Sequence, residues 1–160
     1  MRALTLTQPW ATLVAYGVKR IETRSWPTNY GGPLAIHAAA SMPRFAQEFL
    51  SDDVCLRALA GAGALDHPMP RGAVVAVCTL VGCYRIGEDA AGWPVLAGDP
   101  PERYVSEAEE PWGNYDSGRY AWVLEDVRRL EVPQPAKGQL GLWEWRAPAD
   151  LGLAAAGGAR

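Results

Sequence analysis

The chain has 160 residues with 18 acidic and 15 basic side chains, a net charge of −3, and 49% hydrophobic against 21% charged residues. That length supports one core without metal or disulfide help, and the balance excludes disordered and collagen-like polymers. No apolar run approaches a membrane span, the first residues lack a signal-peptide core, and neither Cys-x-x-Cys nor a zinc spacing occurs among three cysteines and two histidines; a cytoplasmic protein without membrane contact, metal or cofactor is expected.

Residues 3–6 alternate as a strand. Thr7-Gln8-Pro9 then supplies a cap and a first-turn proline for a helix over residues 8–16, with Trp10, Leu13 and Val14 on one stripe and a stop at Gly17. Residues 20–24 and 34–38 read as strands around a turn-rich segment, and helical stretches follow Pro43 and Ser51-Asp52-Asp53, ending before a loop at 61–72. Residues 73–81 are apolar on both faces, as in a strand buried on both sides. From 88 to 117 the chain is acidic, rich in Pro and Gly and without period, which predicts a long surface excursion. Strands resume at 120–125, 127–132 and 140–145, and the Ala/Gly-rich tail after 146 is expected to fray. Strands that do not alternate with helices predict an α+β fold: a small closed or nearly closed β-barrel, an N-terminal helix, and a helical insertion after the third strand.

Charge is uneven. Residues 1–50 carry five basic side chains against two acidic, residues 85–131 five against eleven. A mildly acidic chain is no coat for duplex DNA, yet its basic N-terminal third can hold a few phosphates. Seven tryptophans against two phenylalanines favour rings that carry a polar N–H, suited to half-wet surfaces as well as cores.

Gln8-Pro9-Trp10, then Gly17 through Trp26, then Gly32-Pro33-Leu34-Ala35-Ile36-His37-Ala38 resemble the start of an ASCH domain, whose signature is G-x-K-x-x-E-x-R. Gly118 through Leu124 and Pro135 through Trp143 resemble its end, so the likeness covers residues 1–146 and leaves 147–160 as a tail. The resemblance implies a PUA-like barrel with a cleft between barrel and first helix. Single-stranded RNA or a modified nucleotide or nucleoside is expected there, with Lys19, Glu22 and Arg24 lining the cleft.

The residues themselves allow this. Glu22 and Arg24 share a strand face, and Lys19 joins them only if it sits in the turn before the strand; the alternative is a surface lysine beside an exposed ion pair. Lys19 is read as a phosphate or base-edge contact, Arg24 as a planar fork for oxygens, and Arg20 as sharing the outward face. Gln8, beside free backbone amides, is either exposed or a reader of an anion or base edge. Trp10 is either core packing of the first helix or a stacking ring. Trp26, Trp112 and Tyr115 lie beside turn residues, where large rings are less easily buried, and are candidate stacking platforms. Stacking one base is worth about 1–3 kcal/mol, so useful affinity needs two rings, or one ring with cations. Trp122 and Trp143 are assigned to the core, and His37 to a satisfied buried site.

The resemblance implies two functions. One is a binding module for RNA or a nucleotide. The other is an enzyme of the same cleft, an acylcytidine amidohydrolase or a ribonuclease, with Lys19 and Glu22 as its catalytic residues. The amidohydrolase pattern pairs the motif lysine with a threonine three residues later and a downstream glutamate. Here that threonine position is Glu22, Thr23 is one residue off, and the glutamate lies among Glu107, Glu109 and Glu110 without a way to choose. The oligomeric state is not legible in the sequence.

Overall fold

The computed structural model describes residues 1–98 and 103–151. Its elements are β1 (Arg2–Leu6), α1 (Trp10–Ala15), β2 (Ile21–Arg24), β3 (Gly32–Ala38), α2 (Arg44–Leu50), α3 (Asp53–Gly61), β4 (Ala73–Glu88), β5 (Pro94–Ala97), β6 (Arg103–Tyr104), β7 (Tyr120–Pro135) and β8 (Leu142–Glu144), with one-turn 3-10 helices at Ala64–Asp66 and Glu110–Trp112. The α+β class and the helical insertion after the third strand are as expected. No helix among the described residues is long and apolar enough to cross a membrane.

Strand pairing follows the order β2-β7-β4-β3-β1-β8, with β5 on β4 and β6 on β5. That path has two ends, and no pairing joins β2 to β8 among the described residues. The expected closed or nearly closed barrel is therefore corrected to an open sheet, mixed because β1 runs parallel to β3 and antiparallel to β8. Closure depends on the pairing of first and last strands, which alternation within a strand does not specify.

The chain divides into two compact units. The first comprises Met1–Val18, Pro33–Cys78 and the chain from Asp126 onward; the second, Lys19–Gly32 and Thr79–Glu125. In the first, β1 pairs Ala3 with Ala35 of β3 and with Trp143 of β8. Its core gathers Ala3, Ala35, Val74, Val77, Leu130, Trp143 and Trp145, and Leu151 packs against it. Residues 147–151 of the expected fraying tail thus end on a packed side chain, and 152–160 lie outside the described residues. Helix α1 is shorter than the expected 8–16 and buries Leu13 and Val14 completely, while Trp10 is half-buried and stacks on Phe49 of α2 at 4.8 Å. Asp52 caps α3 by accepting the Val54 amide at 2.8 Å.

In the second unit β2 runs antiparallel to β7, Ile21 opposite Val123 and Arg24 opposite Tyr120. The acidic stretch after Glu88 is not a bare surface excursion. β5 returns along β4, β6 adds to β5, and Val95, Leu96 and Val105 are buried, the last two beside Ile21, Ile86, Ala121 and Val123 in this unit's core. Its apolar residues are too widely spaced among Pro, Gly and acids to show a period, but Val95, Leu96 and Val105 find buried positions once β5 folds back on β4 and β6 on β5.

The two strands expected at 120–125 and 127–132 are one, β7, interrupted where Asp126 takes left-handed backbone (φ 51°). Aspartate is one of the few side chains that tolerate this. Likewise β4 extends to Glu88, beyond the apolar run that announced it.

Candidate functional site

Period-2 alternation along β2 turns Ile21 and Thr23 to one face and Glu22 and Arg24 to the other. Ile21 enters the apolar cluster of the second unit. Thr23 accepts the Asn114 amide at 3.0 Å through its hydroxyl. On the opposite face the Glu22 carboxylate lies between two cations: Oε1 is 3.0 Å from Arg24 Nε and Oε2 is 3.4 Å from Lys19 Nζ.

Lys19 sits in the connection just before β2, as convergence with Glu22 and Arg24 requires, and it is almost fully buried at 1% exposure. Its ammonium donates to the carbonyl oxygens of Ile21 and, at 2.9 Å, of Trp112. With Glu22 these account for all three N–H donors of the group. Exposure rises along the cluster from Lys19 at 1% through Glu22 at 11% to Arg24 at 25% of the side chain. Of the three side chains, Arg24 is therefore the most open to water.

A further acid completes the site. Glu109, buried, precedes the turn Glu110–Trp112, and its carboxylate accepts the amides of Arg20 at 2.9 Å and Ile21 at 2.9 Å, with the Tyr115 hydroxyl at 3.5 Å. Burial pushes its pKa above the usual carboxylate value, opposed by those amides, by the charge of Lys19 and by the Tyr115 hydroxyl. The Tyr115 hydroxyl is itself pushed up, first by burial and then by the charges of Glu109 and Glu22, so it stays protonated. Sequence alone left Glu109 undistinguished from Glu107 and Glu110; its apolar surroundings are contributed by segments far away in the chain.

The aromatic candidates separate. Trp112 and Tyr115, expected beside turns to be poorly buried, are only 5% and 8% exposed, because the turn that carries them packs inward behind Glu109 and Lys19. Gly113 allows this packing: a Cβ there would come within 2.7 Å of the Tyr115 ring and 3.0 Å of Thr23. Trp26 is half-buried, its ring perpendicular to that of fully buried Trp122 at 4.7 Å. Arg20 is exposed beside Lys19. Arg119, which lies in the stretch that resembles the end of the domain but is not among the predicted site residues, donates to the Asn114 carbonyl at 3.2 Å and the Thr23 carbonyl at 3.5 Å.

Gln8 and Trp10 belong to the first unit. Gln8 is neither exposed nor open to a ligand: its amide donates to the Pro70 carbonyl at 2.7 Å and its carbonyl accepts the Thr12 amide at 3.0 Å, which ties the start of α1 to the loop before β4. His37 of β3 also lies in this unit. It is buried, its Nε2 3.0 Å from the Ala136 carbonyl and its ring against Trp143, whose indole donates to Thr5 at 3.1 Å. The expected satisfied histidine is satisfied at one nitrogen; Nδ1 has no hydrogen-bond partner.

Residues 4–134 match the model of the ASCH domain. Activating signal cointegrator 1 of Homo sapiens is 26% identical over 142 residues, and the protein of the same name from Mus musculus 28% over 142. Each alignment covers 88% of this chain and 22% of the relative, so the chain spans about a fifth of the length of the curated relatives it matches.

Proposed function

The chain belongs to the ASCH domain family, and from that membership we propose a binding module for single-stranded RNA or a nucleotide, its open mixed sheet a PUA-like architecture. One observation carries this reading: in the series Lys19–Glu22–Arg24 two cations flank one carboxylate, and exposure rises along it to 25% of the side chain at Arg24.

Arg24 then meets a phosphate or a base carbonyl, held in orientation by Glu22. Arg20 adds an exposed cation, and Trp26, two residues beyond Arg24, offers a half-buried ring on which a base can stack. A ring with cations reaches the affinity that one ring alone does not. Lys19 acts as a positioning residue, because its donors are engaged by Ile21, Trp112 and Glu22.

The hydrolase alternative asks for an activated hydroxyl and a carboxylate with an oxygen to spare. Thr23 and Glu109 both accept backbone amides in this state, so the geometry favours binding over turnover. The test measures anisotropy of a labelled single-stranded RNA with wild type, Arg24→Ala and Trp26→Ala, while N4-acetylcytidine is followed by chromatography. Each substitution is expected to weaken binding about tenfold, the loss of one ring or one charged contact. Wild-type affinity in Arg24→Ala would overturn the reading, and deacylation well above background would replace it with the enzyme.

A further inference from the structure

The first unit contains a pocket of about 710 Å³, walled by α1, the loop before β4, and the later part of β7. That volume is in the range of small-molecule sites. Its walls are largely apolar, from Ala15, Ala64, Pro70, Val75 and Leu130. One feature distinguishes it from a packing gap. Arg129 lies at the pocket with its guanidinium carbon 4.8 Å from the centre of the Tyr16 ring, and no carboxylate pairs with it among the described residues.

We propose that this pocket is a second binding site, for a small monoanionic carboxylate with a flat apolar body. Stacking on Tyr16 fixes the plane of the Arg129 guanidinium and leaves its N–H edge to grip a carboxylate with two parallel hydrogen bonds. Glu131, two residues along the same strand and also lining the pocket, repels a second negative charge. A carboxylate is therefore preferred over a phosphate. The alanines and prolines present flat walls to the body of the ligand. His67 stands exposed at the rim. Nothing in this proposal depends on RNA binding, since every lining residue belongs to the first unit.

Calorimetry on the full chain tests it with 6-hydroxy-2-naphthoate, its neutral amide, and 2-naphthyl phosphate. The carboxylate is expected to bind, the amide at least tenfold more weakly, and the phosphate more weakly than the carboxylate. Arg129→Gln should lower carboxylate affinity at least tenfold and leave amide affinity as it was. No carboxylate binding at millimolar concentration, equal affinity for carboxylate and amide, or an unchanged Arg129→Gln overturns the site. If Arg129→Gln does not fold, the carboxylate–amide comparison on wild type decides alone.

Discussion

The ammonium of Lys19 donates to the main-chain carbonyl of Trp112, 93 residues later in the chain, at 2.9 Å. This bond, with the Glu22 ion pair, makes a motif lysine into an internal brace of the second unit. Lys19→Met leaves Glu22 half-paired and two carbonyls without a donor. A loss of about 3–5 kcal/mol in stability is expected from breaking a buried pair on one side, read by urea unfolding. Lys19→Met with Glu22→Gln should cost less than the sum of the two single changes, because the second removes the charge the first stranded. A loss under about 1 kcal/mol, the range of exposed pairs, would mean that Lys19 is solvated.

Glu109 predicts a pH dependence. Its folded carboxyl holds a proton more tightly than the unfolded one, whose ordinary value is 4.5. As pH rises past about 4.5 the unfolded chain ionises first, so this group's contribution to stability falls with rising pH until the folded carboxyl ionises too. Glu109→Gln deletes the titration. The advantage of wild type over Glu109→Gln should therefore be larger at pH 4 than at pH 7 in urea unfolding. The reverse trend would show the amides of Arg20 and Ile21 outweighing burial.

For His37 the sign is opposite. The Ala136 carbonyl can only accept, so Nε2 donates and Nδ1 is left bare and buried. Burial lowers the pKa from 6.5. Protons bind the unfolded imidazole first, and stability is lost as pH falls below about 6.5. His37→Gln should flatten this part of the thermal-unfolding profile between pH 7 and 5; an unflattened profile would assign the acid loss elsewhere.

Gly138, in the stretch that resembles the end of the domain, is held by contact and not by backbone angle. A Cβ there would lie 2.5 Å from His37 Cε1 and 3.0 Å from Thr5 Oγ1. Gly138→Ala should cost about 1–3 kcal/mol by overpacking, and the cost should shrink in a His37→Ala background. Equal cost in both backgrounds would place the strain away from the imidazole.

RNA binding should depend on salt. Contacts from Arg20 and Arg24 to two phosphates give a log–log slope of about −1.4 on a single strand, and a third contact about −2.1. Arg24→Ala should make the slope shallower by about 0.7. Binding independent of salt would leave base stacking on Trp26 without phosphate contacts.

Several elements are legible in the amino-acid order because their causes are local. The side chain of Asp52 caps α3 two residues later, and alternation alone puts Glu22 beside Arg24. The strand at residues 73–81 is recognisable by its apolar run, though its extension to Glu88 is not, since that half is stabilised by pairing with β5. Trp112 and Tyr115 show the converse: a neighbouring proline or glycine describes the turn, not what the turn packs against.

Composition and short-range pattern by themselves determined the α+β class, the helical insertion and the motif, because propensity, capping and strand alternation act over a few residues. Tertiary structure decided that the sheet stays open, that Lys19 is buried with its donors engaged, that Glu109 and not Glu107 or Glu110 caps the start of β2, and that Gln8 faces inward. Those outcomes rest on contacts between groups 62 to 93 residues apart, and on which strand ends find a partner. Burial and the electrostatics that follow from it are properties of that assembled environment, which no window of neighbouring residues contains.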